Sequence, residues 1–113
     1  MKTMVGMLFH RDADPALMAE TERRMLKTPA AVAYAMLSSL VDYDFEAPVR
    51  RLTVPLRAIN GDLYPTDIAA ARAIKPDFDA IVMKDTGHYP MLERPEEFNR
   101  HVAATAEALS KAK

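Results

Sequence analysis

The sequence predicts an α/β protein: two helices, then a strand–helix–strand–helix unit whose two strands run parallel. Three observations carry this. Apolar residues recur at helical spacing twice before residue 45, the pattern changes at Leu52 to short runs rich in β-branched residues, and a helix-length stretch separates those runs.

The first helix starts at Asp14-Pro15, an N-cap residue followed by proline at the first helical position. Leu17, Met18, Thr21, Met25 and Leu26 form its stripe, which carries it to about Lys27. Thr28-Pro29 repeats the start signal. Ala33, Met36, Leu37, Leu40 and Val41 give the second stripe, and the near absence of a loop between the helices implies a sharp corner. Residues 42–48 read as an irregular acidic connection.

Val54-Pro55-Leu56-Arg57-Ala58-Ile59 predicts a strand, ended by the turn residues Asn60-Gly61-Asp62. Pro55 suits a strand start or a sheet edge, because it has no N–H for a ladder. Thr66 can cap a helix from Asp67 to about Lys75, which Pro76 stops. Ala80-Ile81-Val82-Met83 predicts the second strand, closed by Asp85-Thr86-Gly87. Pro95, with Glu96 and Glu97 at the positive end of the helix dipole, opens the last helix. Phe98, Val102, Thr105 and Leu109 are its expected buried stripe.

Two strands joined by a helix are parallel with a right-handed crossover. Two such strands cannot cover both edges and both faces of a sheet, and parallel sheets are almost always covered. The expectation is a chain that associates with itself through its strand edges, or with a missing half of a larger fold.

Composition narrows the functional classes. The chain has 113 residues, enough for one small domain, with 50% hydrophobic and 27% charged residues, the balance of a globular protein. A formal net charge of -1 argues against a nucleic-acid or anionic-membrane partner. The absence of cysteine removes disulfides, thiolate metal sites and a cysteine nucleophile. Met1 to Phe9 resembles the start of a signal peptide, but its apolar stretch is short and His10-Arg11-Asp12 stands where a cleavage site belongs. No run reaches the ~20 apolar residues of a membrane span. A cytoplasmic protein without cofactor or metal is expected. His10, His88 and His101 are too widely spaced to suggest a metal site, and Met18, Met25 and Met36 fall on helical stripes, where packing explains them better than a binding surface does.

His88 is the chief candidate for chemistry. It follows a glycine in the loop at the carboxyl end of a predicted strand, where open α/β sheets place their ligand crevices. A histidine there can act as a general base near neutral pH. Equally, it could be a loop histidine with a structural hydrogen bond.

Gly87-His88-Tyr89-Pro90-Met91-Leu92-Glu93-Arg94-Pro95-Glu96-Glu97-Phe98 resembles the end of an α/β-hydrolase, in which a Gly-His pair after the last strand precedes a proline, a Glu-x-Pro-Glu and a phenylalanine. Val54-Pro55 and Asn60-Gly61-Asp62 are similar to the family's penultimate strand and its glycine turn. On this resemblance the chain is a single partial domain, with cap-like helices over residues 1–51 and the C-terminal βαβα unit of a hydrolase sheet over residues 52–113. His88 corresponds to the catalytic histidine. The family's orienting aspartate usually stands three positions after the turn glycine, which here is Tyr64. Asp62 is the chosen candidate; Asp67, Asp42 and Asp44 are alternatives, and Asp62 and Asp67 also fit as a turn residue and a first-turn carboxylate. The family's nucleophile elbow, Gly-x-Ser-x-Gly, is absent. The glycines are Gly6, Gly61 and Gly87, and none of Ser38, Ser39 and Ser110 lies in a strand-to-helix turn. The resemblance therefore implies hydrolysis of an ester or related carbonyl substrate by the parent fold, from a truncated or split gene, and no useful activity in this chain alone. The alternative is a non-catalytic remnant that oligomerises or binds a partner. Glu93 and Arg94 read as a local, solvated ion pair.

Overall fold

The computed structural model describes residues 4–111; the first three residues of the leader-like stretch and the last two of the chain lie outside the described residues. The described chain is a mixed α/β structure with a two-stranded parallel sheet. In order it forms α1 (Met4–Leu8), α2 (Pro15–Met25), α3 (Ala30–Ser38), α4 (Glu46–Arg50), β1 (Arg57–Gly61), α5 (Ile68–Ile74), β2 (Asp79–Met83), α6 (Pro90–Glu93) and α7 (Pro95–Ser110).

Local signals start most of these elements. The Asp14 carboxylate accepts the Ala16 N–H at 2.9 Å, with Pro15 in the first turn of α2. Asp67, not Thr66, caps α5, its Oδ1 accepting from Ala70 N at 2.9 Å. The Thr66 hydroxyl instead accepts from the Asn60 amide. Asp44 accepts from the amides of Glu46 and Ala47, which turns the supposedly irregular connection into α4. That helix also holds a Glu46–Arg50 pair at 2.7 Å. α3 ends at Ser38, short of the Val41 its stripe suggested. Beyond it the chain tightens, Leu40 N–H bonding to Leu37 and Val41 N–H to Ser38.

The strand pairing also begins later than the apolar run. Arg57 pairs with Asp79 and Gly61 with Met83. Pro55 has no N–H to contribute, so the ladder starts beyond it. The Arg57 guanidinium lies 3.1 Å from the Asp79 carboxylate, and Arg72 Nε donates to the Phe78 carbonyl at 2.9 Å, fixing where β2 begins.

The core is small and sits at the carboxyl end of β2. Phe9 (2% exposed), Met83 (1%) and Thr86 (0%) are its most buried large side chains, joined by Val5; Phe78 is buried separately, just before β2 begins. α1, which no sequence periodicity announced, exists because it packs here. Val5 and Gly6 are buried, and the Phe9 ring lies 5.3 Å from that of Tyr89.

Elsewhere the expected stripes are poorly covered. Leu17, Met18 and Thr21 of α2 and Phe98, Thr105 and Leu109 of α7 are only half-buried, and Met25 and Val102 are exposed. Met36, Leu37, Leu40 and Val41 face solvent. The accessible surface is 8446 Å², whereas a compact chain of this mass exposes roughly 6,200 Å². The radius of gyration, 16.4 Å, likewise exceeds the value of about 13 Å for a compact domain of this length. No helix among the described residues is long and apolar enough to cross a membrane.

Candidate active site

The site is built where two loops meet at the carboxyl ends of the strands. The loop after β1 and the loop after β2 are tied by four hydrogen bonds. Asp62 N–H donates to the Met83 carbonyl and Leu63 N–H to the Thr86 carbonyl, each at 3.1 Å. The Asp62 carboxylate then accepts from Thr86 N through Oδ1 and from Asp85 N through Oδ2, both at 3.0 Å. Asp85 takes a left-handed backbone, φ 51°, which an aspartate tolerates better than most residues. Thr86 is fully buried, its hydroxyl donating to the Lys84 carbonyl at 2.8 Å.

A third strand of chain closes over these loops. His88 N–H donates to the Leu8 carbonyl at 2.6 Å, and the Tyr64 hydroxyl donates to the Met7 carbonyl at 3.0 Å. Glu93 Oε2 accepts from both Gly87 N (3.1 Å) and His10 N (3.3 Å), so one carboxylate oxygen joins the histidine loop to the N-terminal segment. Gly87 fits only without a side chain: a Cβ there would run into the Leu8 carbonyl, the His10 amide and the Glu93 carboxylate. The other carboxylate oxygen, Oε1, is buried without a hydrogen-bond partner.

The His88 side chain is exposed at the rim of a cleft of about 270 Å³. Ile59, Tyr64, Pro65, Pro90 and Met91 give the cleft apolar walls, and Asn60 and Thr66 add polar groups. The imidazole stands edge-on to Tyr89, with ring centroids 5.2 Å apart. It forms no hydrogen bond or ion pair with any described residue, the structural hydrogen bond of this residue being made by its backbone.

The structure does not bring Asp62 to His88. Both Asp62 oxygens are spent on the Asp85 and Thr86 amides, so it braces the loop three residues before the histidine and does not touch the ring. Tyr64 is bonded to Met7, and Asp67 and Asp44 cap helices. No described carboxylate lies within ion-pair reach of the His88 ring. The Ser39 and Ser110 hydroxyls donate to helix carbonyls, and Ser38 ends α3. No serine lines the cleft. The hydroxyls that line the cleft are those of Tyr64 and Thr66, the first bonded to Met7 and the second to the Asn60 amide.

Two contributors escaped the sequence. Glu93 does not pair with Arg94; it holds Gly87 and His10, while Arg94 reaches the Asp85 carbonyl at 3.3 Å. The Glu-x-Pro spacing after Gly-His was the available signal. His10 is largely buried, with Nε2 3.9 Å from Asp85 and Nδ1 3.6 Å from Asp12. His101 pairs within its helix with Glu97 at 3.7 Å. Among the described residues no group of three or more His, Cys, Asp or Glu side chains could hold a metal ion.

The amide hydrogen bonds, first that of Thr86 and then that of Asp85, hold the Asp62 carboxyl below its ordinary value of 3.8. A depressed folded pKa means that this stabilisation is complete above the unfolded pKa of about 3.9 and is lost as pH falls through the folded value. Asp62→Asn is therefore expected to melt below wild type at pH 7, and the gap should close as pH drops beneath about 4. Circular dichroism melts across pH 2–7 check this; a gap independent of pH contradicts it.

Glu93→Ala leaves two amides without their charged acceptor. The expected cost is about 1–3 kcal/mol, with faster hydrogen exchange at Gly87 and His10 than at β2 amides. Unchanged exchange at both amides would show that Glu93 does not hold the loop.

Comparison of the chain with protein-family models, curated proteins and solved structures finds no match.

Proposed function

We propose that this chain is the C-terminal part of an α/β-hydrolase-like catalytic fold, contributing His88 as the proton-transfer base for hydrolysis of an ester or related carbonyl compound. The observation that carries the reading is the unpartnered, exposed imidazole at the carboxyl end of a parallel strand, facing a cleft with apolar walls. In the completed site a second polypeptide supplies the hydroxyl nucleophile and the donors for the oxyanion. His88 takes the hydroxyl proton as the oxygen attacks the carbonyl, then returns it to the leaving alkoxide. In the second half-reaction it removes a proton from water. Asp62 acts as a positioning residue, because it fixes the backbone from which the Gly87-His88 loop departs. Alone, the chain has no nucleophile and turns nothing over.

Unpaired strand edges support the need for a completing polypeptide. The test is co-expression with a segment that carries a Gly-x-Ser-x-Gly elbow and is encoded beside this chain. A stable complex that hydrolyses p-nitrophenyl acetate, and loses that activity with His88→Ala, supports the reading. A stable complex without turnover, or with turnover indifferent to His88, overturns it.

A further inference from the structure

Helix α3 and its flanks present a surface that the proposed chemistry does not use. Residues 28–41 carry no charged side chain. Tyr34, Leu37 and Val41 are 75%, 65% and 78% exposed, and Val32, Met36 and Leu40 are exposed between them. At 100° per residue the four within the helix, Val32, Tyr34, Met36 and Leu37, spread over more than half of its circumference, and Leu40 and Val41 extend the apolar surface into the turn that follows. A helix apolar over so wide an arc belongs against a partner rather than in water. α3 packs little against the rest of the chain.

We propose that α3 is a self-association surface on which a second copy of this chain packs antiparallel about a twofold axis. Charge favours that occupant, and the exposed area of the whole chain permits it. The chain exposes roughly 2,200 Å² more than a compact protein of its mass, and a stable interface removes about 800 Å² from each partner. The uncharged helix is bordered by opposite signs: Lys27 precedes it and Asp42 follows it, and neither forms an ion pair with a described residue. An antiparallel pair of these helices sets Lys27 of each copy against Asp42 of the other, twice, as an isologous interface requires. Ala30, Ala31, Ala33 and Ala35 keep the helix slim, so that two copies can approach closely. This inference is independent of the hydrolase reading.

Size-exclusion chromatography with light scattering on the full chain is the test. A mass of twice 12.6 kDa is expected. Leu37→Asp, at a solvent-facing position, should keep the circular dichroism spectrum and raise the dimer dissociation constant at least about 30-fold. Lys27→Glu should weaken the dimer about 3–10-fold by setting like charges opposite each other. Adding Asp42→Lys to it should restore wild-type affinity. A monomeric wild type at 100 µM overturns the proposal, as does a dimer indifferent to Leu37→Asp. Failure of the double charge exchange to rescue overturns the antiparallel arrangement. If the monomer instead floats with anionic phospholipid vesicles in a Leu37-dependent way, the face is a membrane-surface helix and the dimer is rejected.

Discussion

His88→Ala is expected to lower ester turnover by the completed site about 10²–10⁴-fold, the range contributed by a positioned general base, while leaving the fold untouched. The separation of effects follows from the geometry. The ring is exposed and makes no hydrogen bond, whereas the contact that ties this residue into the fold is its backbone N–H on Leu8, which alanine retains. The melting temperature of the variant should therefore match that of wild type within about a degree, since exposed substitutions away from structural features change stability little. Turnover of p-nitrophenyl acetate by the complex, read beside a thermal melt, is the measurement. A large drop in melting temperature with a matching drop in turnover would assign His88 a structural role.

Gly61→Ala is expected to destabilise the chain by about 3 kcal/mol or more, at the upper end of what overpacking costs. Gly61 has an ordinary negative φ, so its backbone alone would accept alanine. In that situation Gly→Ala commonly stabilises, by about 0.4–1 kcal/mol, through the unfolded chain. Here space decides the sign. A Cβ on Gly61 would fall onto the carbonyl groups of Thr86 and Gly87. Those groups are backbone, and they cannot retreat without breaking the bonds from Leu63 N–H and the Asp62 carboxylate that clamp the two loops. Circular dichroism melts should show a fall of roughly 10–20 °C or outright failure to fold. A rise in melting temperature would show that the loops are free to separate, and would remove the basis for treating Asp62 as a brace.

These two expectations differ in how far they could be read from the chain itself. Gly87-His88 after an apolar run was legible, since strand propensity, the glycine and the histidine are all local. Asp62 was legible as a residue of interest but not as to its partners. Its slot in the turn was clear, yet whether its carboxylate turns to a ring or to amides depends on where the second loop lies, and that loop is more than twenty residues away. Glu93 shows the same limit more strongly. Beside Arg94 it reads as half of a surface pair, and only the approach of residues 8–10 to Gly87 makes it an acceptor for two amides.

What the sequence by itself determined is the mixed α/β class, the order of the main helices and strands, and the proline and aspartate starts at residues 14–15 and 95. These follow from rules acting within a turn or two: a fixed proline φ, a side-chain cap, an apolar period. Tertiary structure alone decided three things. It created α1, a helix too short to stand without its contacts to α2, Tyr64 and the His88 loop. It set the register of the ladder beyond Pro55, Arg57 opposite Asp79, because pairing needs a partner strand in place. It also left the apolar stripe of α3 in water, a pattern that periodicity had read as buried. Periodicity states which face wants burial; only the assembled fold shows whether anything is there to cover it.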